Sequence, residues 1–90
     1  MGKRIHLMVT GVVQRIGFRF AVRNLADSIR VNGFVRNVSD GRVEIVAEGR
    51  EEVLKRMIEE IRNFNFTHVK KVEEKWEETK NEFNEFEIRY

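Results

Sequence analysis

The chain of 90 residues contains no cysteine and no proline. Without cysteine there is no disulfide framework, no thiolate metal site and no thiol nucleophile. Histidine is limited to His6 and His68, too few and too widely separated for most metal constellations. Both read as residues on or beside strands, far in pattern from Ser28 and Ser39, so no Ser–His–Asp set is indicated. No apolar run is long enough to cross a bilayer. Met1-Gly2-Lys3-Arg4 leads into alternating residues rather than a signal-peptide core, so a cytoplasmic protein without membrane association is expected. An excess of one charge is also missing. Lys+Arg 17 against Asp+Glu 15 leaves a net charge of +2, so the pI of about 9.2 is not by itself a sign of a nucleic-acid surface. Charged residues at 36% without cysteine point to a heat-adapted source, whereas frequent asparagine and absent proline point away from one.

What is present is an apolar content of 41%, sufficient for one core in a chain of this length. No linker, repeat or low-complexity segment interrupts it, and a single domain over 1–90 is expected. Arg4 to Val13 alternates as a half-buried strand, with Ile5, Leu7 and Val9 on one face and His6, Met8 and Thr10 on the other. From Phe18, a stripe of Phe18, Ala21, Val22, Leu25, Ala26 and Ile29 predicts a helix, stopped by Asn32-Gly33. Phe34 to Val38 reads as a second strand and Ser39-Asp40-Gly41 as a hairpin turn. Val43, Ile45 and Ala47 mark a third strand that ends at Gly49. Glu51 and Glu52 open a second helix with the stripe Val53, Leu54, Met57, Ile58, Ile61 and Phe64. Val69 to Trp76 is a fourth strand whose alternation slips between Val69 and Val72, which predicts a bulge. Lys80 to Glu85 turns the chain, and Phe86, Ile88 and Tyr90 form a short last strand.

The order is βαββαβ plus a closing strand, an α+β ferredoxin-like split-βαβ sandwich with a mostly antiparallel sheet and both helices on one face. In this topology strands one and two run parallel with strand three between them, so their ends lie at one edge. That edge gathers the loop Gly11 to Gly17, the helix start at Phe18, Asn37 at the end of strand two, and Tyr90. Backbone N–H groups of a tight loop and of a helix start have no intrahelical partner, and with the helix dipole they favour a phosphate. Arg19, just inside the first turn, adds a planar cationic fork able to hold two phosphate oxygens.

Three stretches, GVVQRIGFR (ending at Arg19), GFVRN (ending at Asn37) and DGRVE, resemble the acylphosphatase family. Length, element order and the ending Phe86-Glu87-Ile88-Arg89-Tyr90 extend the resemblance over nearly the whole chain. It implies that the loop formed by Gly11, Val12, Val13, Gln14, Arg15, Ile16 and Gly17 binds a phosphoryl group through backbone N–H groups. It also implies that Arg19 grips the phosphoryl oxygens and that Asn37 orients the attacking water. The reaction implied is hydrolysis of an acyl phosphate, a carboxylic–phosphoric mixed anhydride, to a carboxylate and inorganic phosphate. No metal, cofactor or covalent intermediate is implied. The residue types suit this chemistry: the leaving group is good, so positioning and charge stabilisation suffice, and asparagine can fix a water without acting as a base.

Competing readings are weighed on the same residues. Asp40 and Gly41 serve as turn residues, Trp76 and Phe86 belong to the core or its margin, and Lys55, Arg56, Lys70, Lys71 and Lys75 alternate with acids as a solvated face. Gly33-Phe34-Val35-Arg36-Asn37 lacks the paired stacking aromatics of an RNA-binding sheet, so no nucleic-acid partner is expected. The alternative to an enzyme is a non-catalytic module that binds acyl or carbamoyl phosphate within a larger assembly. A freestanding chain of this size favours an enzyme, acting as a monomer.

One departure from the family pattern generates a prediction. The family has glycine where this chain has Arg15, and glycine in a phosphate loop meets either a positive φ or a close approach of backbone to ligand. Strain of about 1 kcal/mol or more would slow chemistry. A guanidinium at the rim would also hold product phosphate by a charge-assisted bond contributing roughly 1.5–3 kcal/mol. Both effects slow turnover, so Arg15→Gly is expected to raise kcat and weaken inhibition by phosphate. Steady-state kinetics of the variant checks this, and an unchanged or lower kcat would make Arg15 part of a working site.

Overall fold

Ile5, Leu7 and Val9 are fully buried, while the residues between them are only half-buried, which makes Gly2–Val12 a strand with one core face (β1). The computed structural model describes residues 2–14, 17–65 and 67–90. Arg15 and Ile16 of the expected phosphate loop lie outside the described residues. After β1 come α1 (Phe18–Ile29), β2 (Asn32–Asn37), β3 (Val43–Arg50), α2 (Glu51–Arg62), β4 (His68–Glu78) and β5 (Phe86–Arg89). The sheet order is β4-β1-β3-β2-β5. β3 lies antiparallel between β1 and β2, and β5 pairs parallel with β2. The expected ferredoxin-like architecture and the shared edge for the ends of β1 and β2 follow from these pairings.

The two helices bury Phe18, Val22 and Ala26, and Leu54, Met57, Ile58 and Ile61, against the face that carries Ile5, Leu7, Val9, Val35, Val43, Ile45 and Ala47. Phe18 and Phe64 meet edge-to-face with ring centroids 5.8 Å apart. Phe86 is buried and Trp76 packs against the core margin, as expected. The expected bulge is present. β1 and β4 slip register between Thr10, opposite Lys71, and Gly11, opposite Val69, leaving Lys70 as the extra residue. At that slip Gly11 has φ +144, and a Cβ there would stand 2.0 Å from the His68 carbonyl oxygen. Glycine is therefore required where the strand hands over to the loop.

Several boundaries differ from expectation, most by one or two residues. α1 is stopped by Arg30, which adopts the left-handed conformation (φ 59, ψ 49), and Val31 N–H then reaches back to the Ala26 carbonyl at 2.9 Å. Asn32-Gly33 instead opens β2. A C-terminal capping turn needs one left-handed residue, and here an arginine takes that position rather than glycine. β3 continues through Gly49 and passes directly into α2, whose first turn carries Glu51 and Glu52. β5 ends at Arg89, and Tyr90, expected on the apolar side by alternation, is 92% exposed. Once the ladder to β2 ends at Arg89, alternation no longer dictates the side on which the next residue lies.

The open face of the sheet is closed at one end by the segment between β4 and β5. Glu48 on β3 is buried and accepts hydrogen bonds from Lys80 N–H at 2.7 Å, Glu82 N–H at 3.1 Å and the Arg4 guanidinium at 3.3 Å. Burial pushes its carboxyl up, but these donors, together with the Thr79 side chain, bring it below the ordinary 4.5. The clamped turn sets Phe83 edge-to-face on Phe34 at 5.9 Å and launches β5.

A carboxyl whose folded-state pKa is depressed contributes stability that is full above its unfolded value and vanishes as pH falls through the folded value. Glu48→Gln, which leaves one or more of these donors poorly matched, is expected to cost about 1–3 kcal/mol at neutral pH. The gap between parent and variant should close in acid below the ordinary 4.5. Urea unfolding at a series of pH values measures this, and a pH-independent gap would rule out the carboxylate as its source.

Candidate phosphate site

The start of α1 presents backbone N–H groups that have no partner within the helix. Gly17 is its N-cap in the left-handed region (φ 77, ψ 14), no side chain among the described residues caps the helix, and no acidic residue stands in its first turn. α2 provides the contrast, since Glu51 and Glu52 neutralise its dipole internally. The N–H groups that open α1 are therefore available to an acceptor from outside the helix.

Arg19 supplies the charge. Its guanidinium donates to the Arg89 carbonyl at 3.2 Å and lies 4.6 Å from the centre of the Tyr90 ring. Among the described residues it has no ion pair. The neighbouring cations do: Arg36 with Glu44, Arg42 with Asp40 and Glu73, and Arg23 with Asp27. The link between Arg19 and the chain end runs through the Tyr90 ring and the preceding carbonyl, because Tyr90 lies beyond the end of the β5 ladder.

The loop is anchored through Val12, Val13 and Gln14. Val13 is buried, and the Val12 carbonyl accepts from the Thr67 hydroxyl at 2.6 Å, leaving the Val12 side chain exposed. The Gln14 side-chain amide donates to the carbonyls of Val38 and Arg42, both at 2.9 Å, and so ties the loop to the β2–β3 turn. Asp40 and Gly41 act there as turn residues: Asp40 accepts from Arg42 N–H at 3.1 Å, and Gly41 N–H donates to Val38 at 3.0 Å. Sequence reasoning assigned Gln14 only through its backbone and did not assign Thr67 at all. The one signal was a lone amide side chain among apolar loop residues.

Asn37 is bracketed by these contacts. Its predecessor Arg36 pairs across the ladder with Arg89, whose carbonyl holds Arg19, and its successor Val38 is bound by Gln14. Alternation places Asn37 on the side of Val35, the helix-covered face. Among the described residues its buried Oδ1 has no hydrogen-bond partner, which leaves it able to accept one. Gly11, Gln14, Gly17, Arg19 and Asn37 thus meet at one sheet edge, although the order of the chain separates them.

Because Arg89 and Tyr90 orient Arg19 among the described residues, deletion of the two is expected to lower thermal stability and to weaken binding of inorganic phosphate together. A melting curve and a phosphate titration monitored by NMR separate the two effects. Lost stability with intact phosphate affinity would reduce the chain end to a closing strand.

The family model for acylphosphatase matches residues 5–88. The acylphosphatase of Caldanaerobacter subterraneus subsp. tengcongensis is 42% identical over 89 residues, 98% of this chain and 99% of that protein. The crystal structure of acylphosphatase from Bacillus subtilis superposes with a TM-score of 0.93 at 35% identity, covering 98% of this chain and 99% of that one. T. kodakarensis HypF superposes with a TM-score of 0.84 at 31% identity, covering 98% of this chain but 12% of that one. The match in sequence and in fold extends over nearly the full length of both the first two relatives and this chain, which belongs to the acylphosphatase family.

Proposed function

We propose that this chain hydrolyses acyl phosphates to a carboxylate and inorganic phosphate at the edge formed by Gly11–Gly17, Arg19 and Asn37. The observation that carries the reading is the pairing of an uncapped helix start and an arginine without a counter-charge with a buried, unpaired Asn37 oxygen. The phosphoryl group occupies the helix start, with its oxygens shared between backbone N–H groups and the Arg19 fork. One water donates a hydrogen to Asn37 Oδ1, which turns its lone pair toward phosphorus; the side-chain amide can fix it with a second bond.

The water oxygen bonds to phosphorus as the bond from phosphorus to the bridging oxygen breaks. The bridging oxygen leaves with the electron pair as the carboxylate, and the proton of the water passes to a phosphoryl oxygen. Asn37 takes no proton, so the rate depends on positioning and on stabilising the charge spread over the phosphoryl oxygens. Arg36, Arg42 and Arg23 are each held in an ion pair, whereas Arg19 has none among the described residues.

The unit is residues 1–90 acting as a cytoplasmic monomer on a small molecule, without nucleic acid. The participation of all five strands in one sheet and the nearly balanced charge support this.

The two side chains have separable effects. Arg19→Ala removes charge-assisted bonds contributing about 1.5–3 kcal/mol each, so KM for acetyl phosphate and the inhibition constant of phosphate should both rise at least roughly tenfold. Asn37→Ala should lower kcat while phosphate affinity is largely kept. Kinetics with acetyl phosphate in the presence of a chelator test both. A chain that binds phosphate yet leaves acetyl phosphate intact would instead be a non-catalytic acyl- or carbamoyl-phosphate-binding module.

A further inference from the structure

The lysines divide into two groups. Lys3, Lys55 and Lys80 are each held in an ion pair, with Glu78, Glu51 and Glu77 respectively. Lys70, Lys71 and Lys75 are exposed on β4 and have no ion pair among the described residues. Of these, Lys75 has a particular neighbour. It stands directly opposite His6 in the antiparallel ladder of β1 and β4, on the sheet face that the helices leave uncovered. Side chains so placed share one face, with Cβ atoms roughly 4.5–5.5 Å apart. Lys71 faces Thr10 instead, and Lys70 is the bulged residue without a ladder partner.

His6 is held as a base would be. Its Nε2 lies 2.6 Å from Glu44 Oε2, and Arg36 donates to the other oxygen of the same carboxylate. Burial pushes the Glu44 carboxyl up, but the bonds from His6 and Arg36 bring it below the ordinary 4.5, so an ionised carboxylate backs the ring at neutral pH. In a neutral ring the Nε2 hydrogen is donated to that carboxylate, which puts the lone pair on Nδ1. Nδ1 has no partner among the described residues, and the side chain is 35% exposed. Glu73 and Glu77 flank Lys75 on the same face and lie 3.7 Å from the guanidinium groups of Arg42 and Arg4, so the acids nearest the amine are occupied.

We propose that Lys75 is a site of self-acylation, at which an acyl phosphate transfers its acyl group to the ε-amine with His6 as general base. This rests on the substrate class proposed above but not on its hydrolysis. The unprotonated Lys75 nitrogen attacks the carbonyl carbon of the mixed anhydride. The bond from that carbon to the bridging oxygen breaks, and inorganic phosphate leaves with the electron pair. One amine proton passes to His6 Nδ1, and the imidazolium returns it to solvent. The product is a stable amide, and the net charge of the chain falls by one. Hydrolysis breaks the other bond of the same bridge, the one to phosphorus, so the two reactions draw on one substrate at two places in the fold.

The test is incubation of the full chain with excess acetyl phosphate, followed by digestion with a protease that does not cleave at lysine and peptide mass spectrometry. A general base contributes about 10²–10⁴-fold in a built site, and the flexible stem of an exposed lysine keeps only part of that. Lys75 should therefore be acetylated at least about fivefold more than Lys70 or Lys71. In His6→Gln, Lys75 should fall to the level of those two while their own labelling stays unchanged. Equal labelling of the three lysines in the parent chain, or a Lys75 preference that survives in His6→Gln, would overturn the proposal. Should His6→Gln fail to fold, the ratio within the parent chain still decides. Consumption of acetyl phosphate is followed in the same mixture. Its absence would overturn the proposed hydrolysis and leave the acetylation of Lys75 to be read on its own.

Discussion

A guanidinium beside the positive end of a helix dipole is in an unfavourable field when the site is empty, and Arg19 is held there without a carboxylate to balance it. Two neutral groups do the holding: the Arg89 carbonyl and the face of the Tyr90 ring. Both orient the cation while leaving its charge uncompensated. A carboxylate in the same place would compete with the incoming anion. The rest of the structure can be read as the means by which the chain end is brought to that point.

That path begins at Glu48. By gathering Lys80 N–H, Glu82 N–H and the Arg4 guanidinium, it folds the turn that seats Phe83 on Phe34 and sends β5 along β2. The Arg89 guanidinium lies 4.0 Å above the Phe34 ring on the open face, while the Arg89 carbonyl reaches Arg19. A buried carboxylate on one side of the sheet thereby supports an exposed cation at its far edge. On the loop side Gln14 has the corresponding role. Its two bonds to Val38 and Arg42 hold the loop against the turn that follows Asn37, so the loop and Asn37 share one frame.

Pairing of charges sharpens the site as much as the placing of Arg19 does. Arg36, Arg42 and Arg23 are each matched to an acid. Among the described residues Arg19 has no such match, and Asn37 Oδ1 has no donor.

Local pattern was enough for most of the fold. Alternation in β1, the stripes of α1 and α2, the turn at Ser39-Asp40-Gly41 and the broken alternation around Lys70 each depend on near neighbours in the chain, and the structure has them where the pattern puts them. Element order under the handedness rule then brings Arg19 and Asn37 to one edge, and residue chemistry with the family motif named their roles. What the sequence could not contain is whatever depends on residues distant in the chain. The exit of α1 at Arg30 and the exposure of Tyr90 are examples, because a capping turn and the end of a ladder are settled by tertiary partners. The Gln14 strut and the burial of Asn37 Oδ1 without a partner belong to the same class. The sequence by itself determined which residues can bind an anion and on which elements they sit, since periodicity and side-chain chemistry are local. The tertiary structure decided which cations are left free, which acceptor is left unpaired and what holds the arginine, since each of these is a contact across the sheet.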